Sequence, residues 1–283
     1  MEKIIVIGLG LIGGSMALTF KRKPGRSIVG VDANEHHAEQ ALRLGIIDEI
    51  GQFSSVKDAN VVLIAVPVDV IPEVTEHVLN SIHADTLVFD VGSVKEQVCT
   101  RISNHPKRGN FVASHPIAGT EYSGPEAAFI GLFKQKMNMI CEPEKSNPKA
   151  LKKAIALFEE LEMKTEMMCP LEHDKHIAYV SHLSHISSFM LGKTVLEIEP
   201  DESTIFTMAG SGFESTVRLA KSSPAMWAPI FMQNKANVLK SLEDYIRNLE
   251  TFKTHIEKSE KQEVFQIMDD TNRIKNILKG ITK

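Results

Sequence analysis

The sequence predicts an α/β chain in two parts: a parallel sheet with covering helices over residues 1–169, then an all-α half over residues 170–283. Three observations carry that prediction. Short β-branched runs alternate with helical patterns through the first half. A Gly-x-Gly-x-x-Gly turn sits directly between the first run and the first helix. Strand signals stop near Pro170, and long 3.6-period patterns replace them.

Taken in order, Lys3 to Ile7 reads as a buried strand, followed by Gly8-Leu9-Gly10-Leu11-Ile12-Gly13 and a helix through Ser15, Met16, Ala17, Leu18 and Phe20. In such a turn the first glycine makes the bend, the second lets a pyrophosphate approach and the third lets helix and strand pack. The helix amino end offers its free N–H groups to that anion. Ser27 to Val31 forms the next strand and ends in Asp32, about twenty residues past the glycines. A carboxylate there accepts from both ribose hydroxyls and repels a 2′-phosphate, which favours NAD over NADP. Strand, glycine turn, helix, strand and acid together mark a Rossmann dinucleotide-binding domain. Its candidate cofactor contacts are Gly8, Leu9, Gly10, Leu11, Ile12, Gly13 and Asp32, joined by Val66 and Pro67 at a later strand end.

The alternation continues. Ala38 to Leu44 reads as helix, and Val61 to Val66 as a buried strand stopped by Pro67. Thr86 to Asp90 is a strand leading into Gly92-Ser93. Phe111-Val112-Ala113 runs into Ser114-His115 and is stopped by Pro116. Met137 to Cys141 and Met163 to Met168 are later strands flanking a helix from Pro148 to Leu161. Ligands of open α/β sheets bind beyond the carboxyl ends of the strands. The glycine turn, Val66-Pro67, Gly92-Ser93 and Ser114-His115 therefore converge. An imidazole beside a nicotinamide points to hydride transfer with a histidine handling the proton.

In the second half one helix is expected from Leu171 to about Leu196. At 3.6 residues per turn, Asp174, Ala178, Ser181, His185 and Ser188 share a polar stripe with His182 at its edge. His173, His176, His36 and His37 read as surface or packing residues. The segment 203–212 is mixed, and Phe213 to Ala220 is a short helix carrying Arg218. Pro224 opens a long helix in which Val238, Leu242, Tyr245, Leu249, Phe252 and Ile256 form an a/d seam. A final helix spans about Lys261 to Leu278. Helices this apolar need a cover, which predicts a homodimer through the helical half.

Composition excludes several classes. The chain has 283 residues and a formal net charge of -4, which gives no electrostatic reason to expect nucleic acid. No apolar run is long enough for a bilayer, and the start runs straight into a strand, so no membrane or export role is expected. The three cysteines, Cys99, Cys141 and Cys169, are sparse and show no metal-ligand spacing. That suits a reducing cytoplasm. His182 and His185 lack a third ligand at helical spacing, so no metal is expected.

Several of these segments resemble the prephenate dehydrogenase family. They are the glycine turn through Ser15, Asp90-Val91-Gly92-Ser93-Val94-Lys95, Ser114-His115-Pro116-Ile117-Ala118-Gly119-Thr120-Glu121, Ser181-His182-Leu183-Ser184-His185, and Arg218 to Trp227. The resemblance covers nearly the whole chain. It implies a Rossmann domain followed by a helical dimerisation domain. It also implies NAD-dependent oxidative decarboxylation of prephenate to 4-hydroxyphenylpyruvate, in tyrosine biosynthesis. His115 is then the catalytic histidine with Ser93 adjoining it. Arg218 binds a substrate carboxylate, and His185, Ser181, His182, Thr120 and Glu121 are further substrate-side residues. Glu121 would order Arg218 or gate the entrance. Arogenate dehydrogenase is the near alternative, and a catalytically inactive NAD-sensing dimer the remote one. Two departures stand out: Glu214-Ser215 replaces a Lys-Asp pair of some members, and the sequence given reaches Lys283 without the ACT-type regulatory domain that many members append.

Overall fold

The computed structural model describes residues 1–198, 200, 202 and 204–281. Eight strands form one sheet: β1 (Glu2–Ile7), β2 (Arg26–Val31), β3 (Glu49–Ile50), β4 (Val61–Ile64), β5 (Leu87–Asp90), β6 (Phe111–Pro116), β7 (Met137–Cys141) and β8 (Lys164–Met168). Their order is β3-β2-β1-β4-β5-β6-β7-β8. All neighbours are parallel except β6 and β7. The chain reverses direction across the sheet between β1 and β4, where a doubly wound sheet opens its ligand crevice.

The inner strands are buried on both faces, so they read as continuous apolar runs, whereas the edge strands β3 and β8 are largely exposed. Alternation still sorts them. Ile4, Val6, Val61, Leu63, Leu87, Phe89 and Val112 enter one core with Met16, Phe20 and Phe158. Ile5, Ile7, Val62, Ile64, Val88, Phe111 and Ala113 enter the other with Val78, Leu79 and Ile102. The covering helices are α1 (Leu11–Lys21), α2 (Glu35–Arg43), α3 (Ile71–Ser81), α4 (Glu96–Arg101) and α5 (Pro148–Glu160). Asn147 caps α5 through Oδ1 at 2.8 Å from the Ala150 N–H, with Pro148 at the first position. Strand ends differ from the sequence reading by one or two residues, and the two-residue β3 is additional.

Three helical expectations change. The helix expected from Leu171 to Leu196 is α6 (Pro170–Ile177), a π-helical turn (Ala178–His182) and α7 (Leu183–Ile198). The wide turn rotates the residues after it relative to a 3.6-residue stripe. His182 thereby moves from the stripe's edge to full burial, and Ser181 is only half-buried. The long helix expected from Pro224 breaks at Asn234 into α9 (Pro224–Gln233) and α10 (Lys235–Glu257), with α8 (Ser211–Val217) before it. Asn234 leaves helical geometry as its amide donates to the Asp174 carbonyl at 2.7 Å. The final helix divides into α11 (Lys261–Thr271) and α12 (Ile274–Ile281). The mixed segment starts at Ser203, which lies outside the described residues.

By packing, the chain divides into two compact units, Met1–Lys235 and Ala236–Lys283. Within the first, Trp227 and Ile230 of α9 pack on Val94 and Val68, in the segments after β5 and β4. In the second, Val238 is buried, whereas Leu249 and Ile256 of the expected seam are more than half exposed. Among the described residues no helix is long and apolar enough to cross a membrane.

Candidate active site

Register brings the four strand ends together. Ile7 of β1 pairs with Ile64 of β4, Ile64 with Asp90 of β5, and Asp90 with Ala113 of β6. The glycine turn, Ala65 to Pro67, Gly92-Ser93 and Ser114-His115 thus lie along one edge.

At the glycine turn, Gly8 has φ +94°, and a Cβ there would meet the Ala65 carbonyl oxygen at 2.3 Å. A Cβ on Gly13 would stand 2.0 Å from the Gly8 carbonyl oxygen, so only glycine lets α1 sit this close to β1. Gly10 is different: a Cβ built there meets nothing within 4 Å. It caps α1 with no side-chain hydrogen bond, so the helix's first N–H groups remain for an anion. Asp32 Oδ2 accepts from the Leu9 N–H at 2.8 Å, and Oδ1 from Asn34 at 2.9 Å. That fixes a carboxylate at the end of β2 beside the turn. An open approach, uncapped helix dipole and fixed acid together fit a dinucleotide. Leu9 and Leu11 are buried, Ile12 and Val66 half-buried, and Pro67 exposed.

His115 is buried at the end of β6, and its Nδ1 lies 2.8 Å from His173 Nε2. The rings meet edge to face. His173 Nδ1 lies 2.7 Å from Asp174 Oδ1. Asp174 also accepts from the backbone N–H groups of Lys95 at 2.8 Å and Glu96 at 2.9 Å. Beside this chain, Lys95 forms a fully buried ion pair with Asp90 and donates to the Ser114 carbonyl at 2.8 Å. Burial holds the His115 imidazole well below its ordinary basicity, and the charge of the neighbouring Lys95 ammonium lowers it further. Burial raises the Asp90 carboxyl, against the pull of Lys95.

The helical side supplies aromatic and donor groups. His185 stacks on Trp227 with ring centres 3.5 Å apart, and His182 meets Trp227 edge-on at 6.0 Å. His182 is lowered to about 4 by burial, against the attraction of Asp174. His185 is lowered by burial too, with Arg218 adding to the shift through its charge. Three buried polar atoms here have no hydrogen-bond partner among the described residues: Ser93 Oγ, His182 Nε2 and Trp227 Nε1.

The expected residues therefore fall into groups. His115, Ser93, His182 and His185 come to the strand-end edge and the helices facing it, while Ser181 sits half-buried on the π-helical turn. Ser93 makes no hydrogen bond to His115; His173 occupies that place, because α6 carries it under the end of β6. Of the two readings of His173, surface or packing, its 2% exposure excludes the surface one, and its bonds to His115 and Asp174 add a polar role that neither reading included. Arg218 is exposed at the end of α8 and reaches His185 only through its charge. Thr120 and Glu121 lie exposed on the loop after β6, which is tied to α1 where Ser15 Oγ accepts from the Phe129 N–H at 3.0 Å. Glu121 forms no ion pair with Arg218 among the described residues; the two stand as separate exposed groups. Asp174 falls in the polar stripe read from the sequence, but His173, one position off it, carries no periodic signal that sets it apart.

Family comparison agrees with this geometry. Residues 16–167 match the family model described as "Prephenate dehydrogenase, nucleotide-binding domain", and residues 169–270 match "Prephenate dehydrogenase, dimerization domain". The chain belongs to the prephenate dehydrogenase family. It is an oxidoreductase of that family, with a Rossmann nucleotide-binding sheet followed by the helical dimerisation domain. It is 34% identical to prephenate dehydrogenase of Bacillus subtilis over 94% of this chain and 73% of that protein. The prephenate dehydrogenase structure from Aquifex aeolicus, in complex with hydroxyphenyl propionate and NAD+, superposes with a TM-score of 0.89 at 32% identity, covering 98% of each chain. Arogenate dehydrogenase of Synechocystis superposes at 0.79 with 29% identity, over 98% of this chain and 99% of that one.

Proposed function

We propose that this protein oxidatively decarboxylates prephenate to 4-hydroxyphenylpyruvate with NAD, and that His115 accepts the ring-hydroxyl proton. The observation that carries the reading is a buried, weakly basic His115 at a strand end, its Nδ1 engaged by His173 and its Nε2 left for the substrate. Bound NAD supplies the two-electron acceptor, held by the glycine turn, the α1 amino end, Asp32, Val66 and Pro67.

A neutral imidazole is the acceptor this reaction needs near pH 7. As the carbinol carbon gives up its hydride, its hydroxyl proton passes to His115 Nε2. The ring carboxylate leaves as carbon dioxide and its electron pair aromatises the ring. The phenolate oxygen then takes the proton back, so the step releases none. Arg218 binds one carboxylate with its planar fork, and His185 and Ser181 meet the pyruvyl end. The unpartnered Ser93 Oγ and His182 Nε2 supply further polar contacts.

The same groups favour prephenate over arogenate. An ammonium substituent is best met by a carboxylate not already committed to several donors. Asp174 already serves three donors, and the helical side otherwise presents histidines, Trp227 and Arg218. Absorbance of NADH with prephenate and then arogenate, using NAD and then NADP, tests the assignment. The expected result is turnover with prephenate and NAD. Higher kcat/KM with arogenate overturns the substrate, and cofactor binding without turnover overturns the reaction.

We also infer a cytoplasmic homodimer. Cys99 and Cys141 are buried free thiols. Ile246, Leu249, Ile256, Phe265, Met268, Ile277 and Leu278 on α10, α11 and α12 are each 45% exposed or more, an apolar set that a second copy would cover. Sedimentation at micromolar concentration should give about twice the chain mass.

A further inference from the structure

We propose that His173 is a positioning residue that sets the tautomer of His115, keeping the proton on Nδ1 and the lone pair on Nε2. The polarity follows from one end of the chain to the other. Two backbone N–H groups and one imidazole nitrogen converge on the two oxygens of Asp174, which acts as an acceptor throughout. His173 therefore carries its proton on Nδ1, the nitrogen 2.7 Å from Asp174. A neutral imidazole has one donor and one acceptor nitrogen. His173 Nε2 is then bare, and the nitrogen 2.8 Å away, His115 Nδ1, must donate to it. That leaves His115 Nε2 as the acceptor.

The arrangement has two further effects. His115 and His173 are both buried, 8% and 2% exposed, so water does not compete for these nitrogens. When His115 takes a proton, the Asp174 charge lies one imidazole away along a continuous hydrogen-bonded path and steadies the cation. The opposite polarity, with His173 a cation donating from both nitrogens, would protonate His115 at Nε2 and leave it unable to accept.

The test uses the full chain with 15N-labelled histidine and no substrate. Signals are assigned by loss in His115→Asn and His173→Gln. Both residues should report the neutral Nδ1–H tautomer, and His115 should shift toward Nε2–H in His173→Phe. A wild-type His115 protonated on Nε2, or a His115 signal unmoved in His173→Phe, overturns the proposal. The kinetic arm rests on the function proposed above. His173→Phe should lower kcat roughly 10²-fold with KM for NAD unchanged, the scale of a misdirected imidazole. His173→Gln places an acceptor oxygen where Nε2 stood and should recover about tenfold of that loss. Equal damage in both variants, with the His115 tautomer unmoved, makes His173 structural. The expected tautomers without turnover on either substrate would sink the function and leave the tautomer assignment standing.

Discussion

At the strand ends, His115, His173, Asp174, Lys95 and Asp90 all find partners within the protein. On the helices, His182 and Trp227 each keep a buried polar atom with no partner among the described residues, and Arg218 lies exposed. A buried donor or acceptor left unsatisfied costs about 1–3 kcal/mol. The strand-end wall is thus largely satisfied within the fold, Ser93 Oγ excepted, while the helical wall keeps buried polar atoms open among the described residues. The first wall is preorganised, which is where electrostatic catalysis draws its strength. The second keeps polar groups that the fold itself does not satisfy.

The comparison can be broken at either wall. The largest effect is expected from His115→Asn: kcat should fall roughly 10²- to 10⁴-fold, with NAD binding measured by fluorescence unchanged. Near-normal kcat would move the base elsewhere. Lys95→Met should come next. It leaves Asp90 unpaired at 0% exposure and should destabilise the fold by about 3–5 kcal/mol in denaturant titrations. A change below 1 kcal/mol would show the strand-end wall to be far less committed than its hydrogen bonds indicate.

The helical wall should respond to pH. His182 is held at about 4 against an ordinary 6.5, so the unfolded chain binds its proton first as pH falls. Stability from this group is complete above about 6.5 and is lost progressively down to about 4, up to about 3 kcal/mol in all. His115 and His185 shift in the same direction and add to the loss. Denaturant midpoints at pH 7.5 and 5 should differ, and His182→Gln should flatten the difference. The smallest effect is expected from Arg218→Ala. KM for prephenate should rise about 10- to 100-fold, the worth of one charge-assisted contact, with stability and KM for NAD unchanged. Equal rises in both KM values would make Arg218 structural.

The strand-end wall was legible because its signals are local. The glycine turn, Asp32 and His115 each sit at a fixed offset from a buried run, and a parallel sheet aligns such offsets on one edge. His173 was not legible, since its role depends on α6 passing beneath β6, a contact between residues 58 apart in sequence. Lys95 carries no signal of its own in the sequence, because a buried lysine declares itself only through its partner. The helical wall was half legible: the polar stripe was visible, but a strict 3.6-residue period put His182 at its edge and Ser181 inside it. The breaks at Asn234 and Asn272 escaped notice, because each asparagine stands in an otherwise uninterrupted helical pattern.

The π-helical turn at Ala178–His182 works as a phase shift. Ahead of it, His173, Asp174 and Ile177 face the sheet; behind it, His185 and Ser188 hold their own angle. A plain α-helix advances 100° per residue, so straightening this turn into α-helix at unchanged length would rotate one half of the rod against the other by about that angle. The helix would gain a regular hydrogen bond, and His115 or Trp227 would lose its neighbour. Length here is information: one surplus residue lets a single rod keep two appointments.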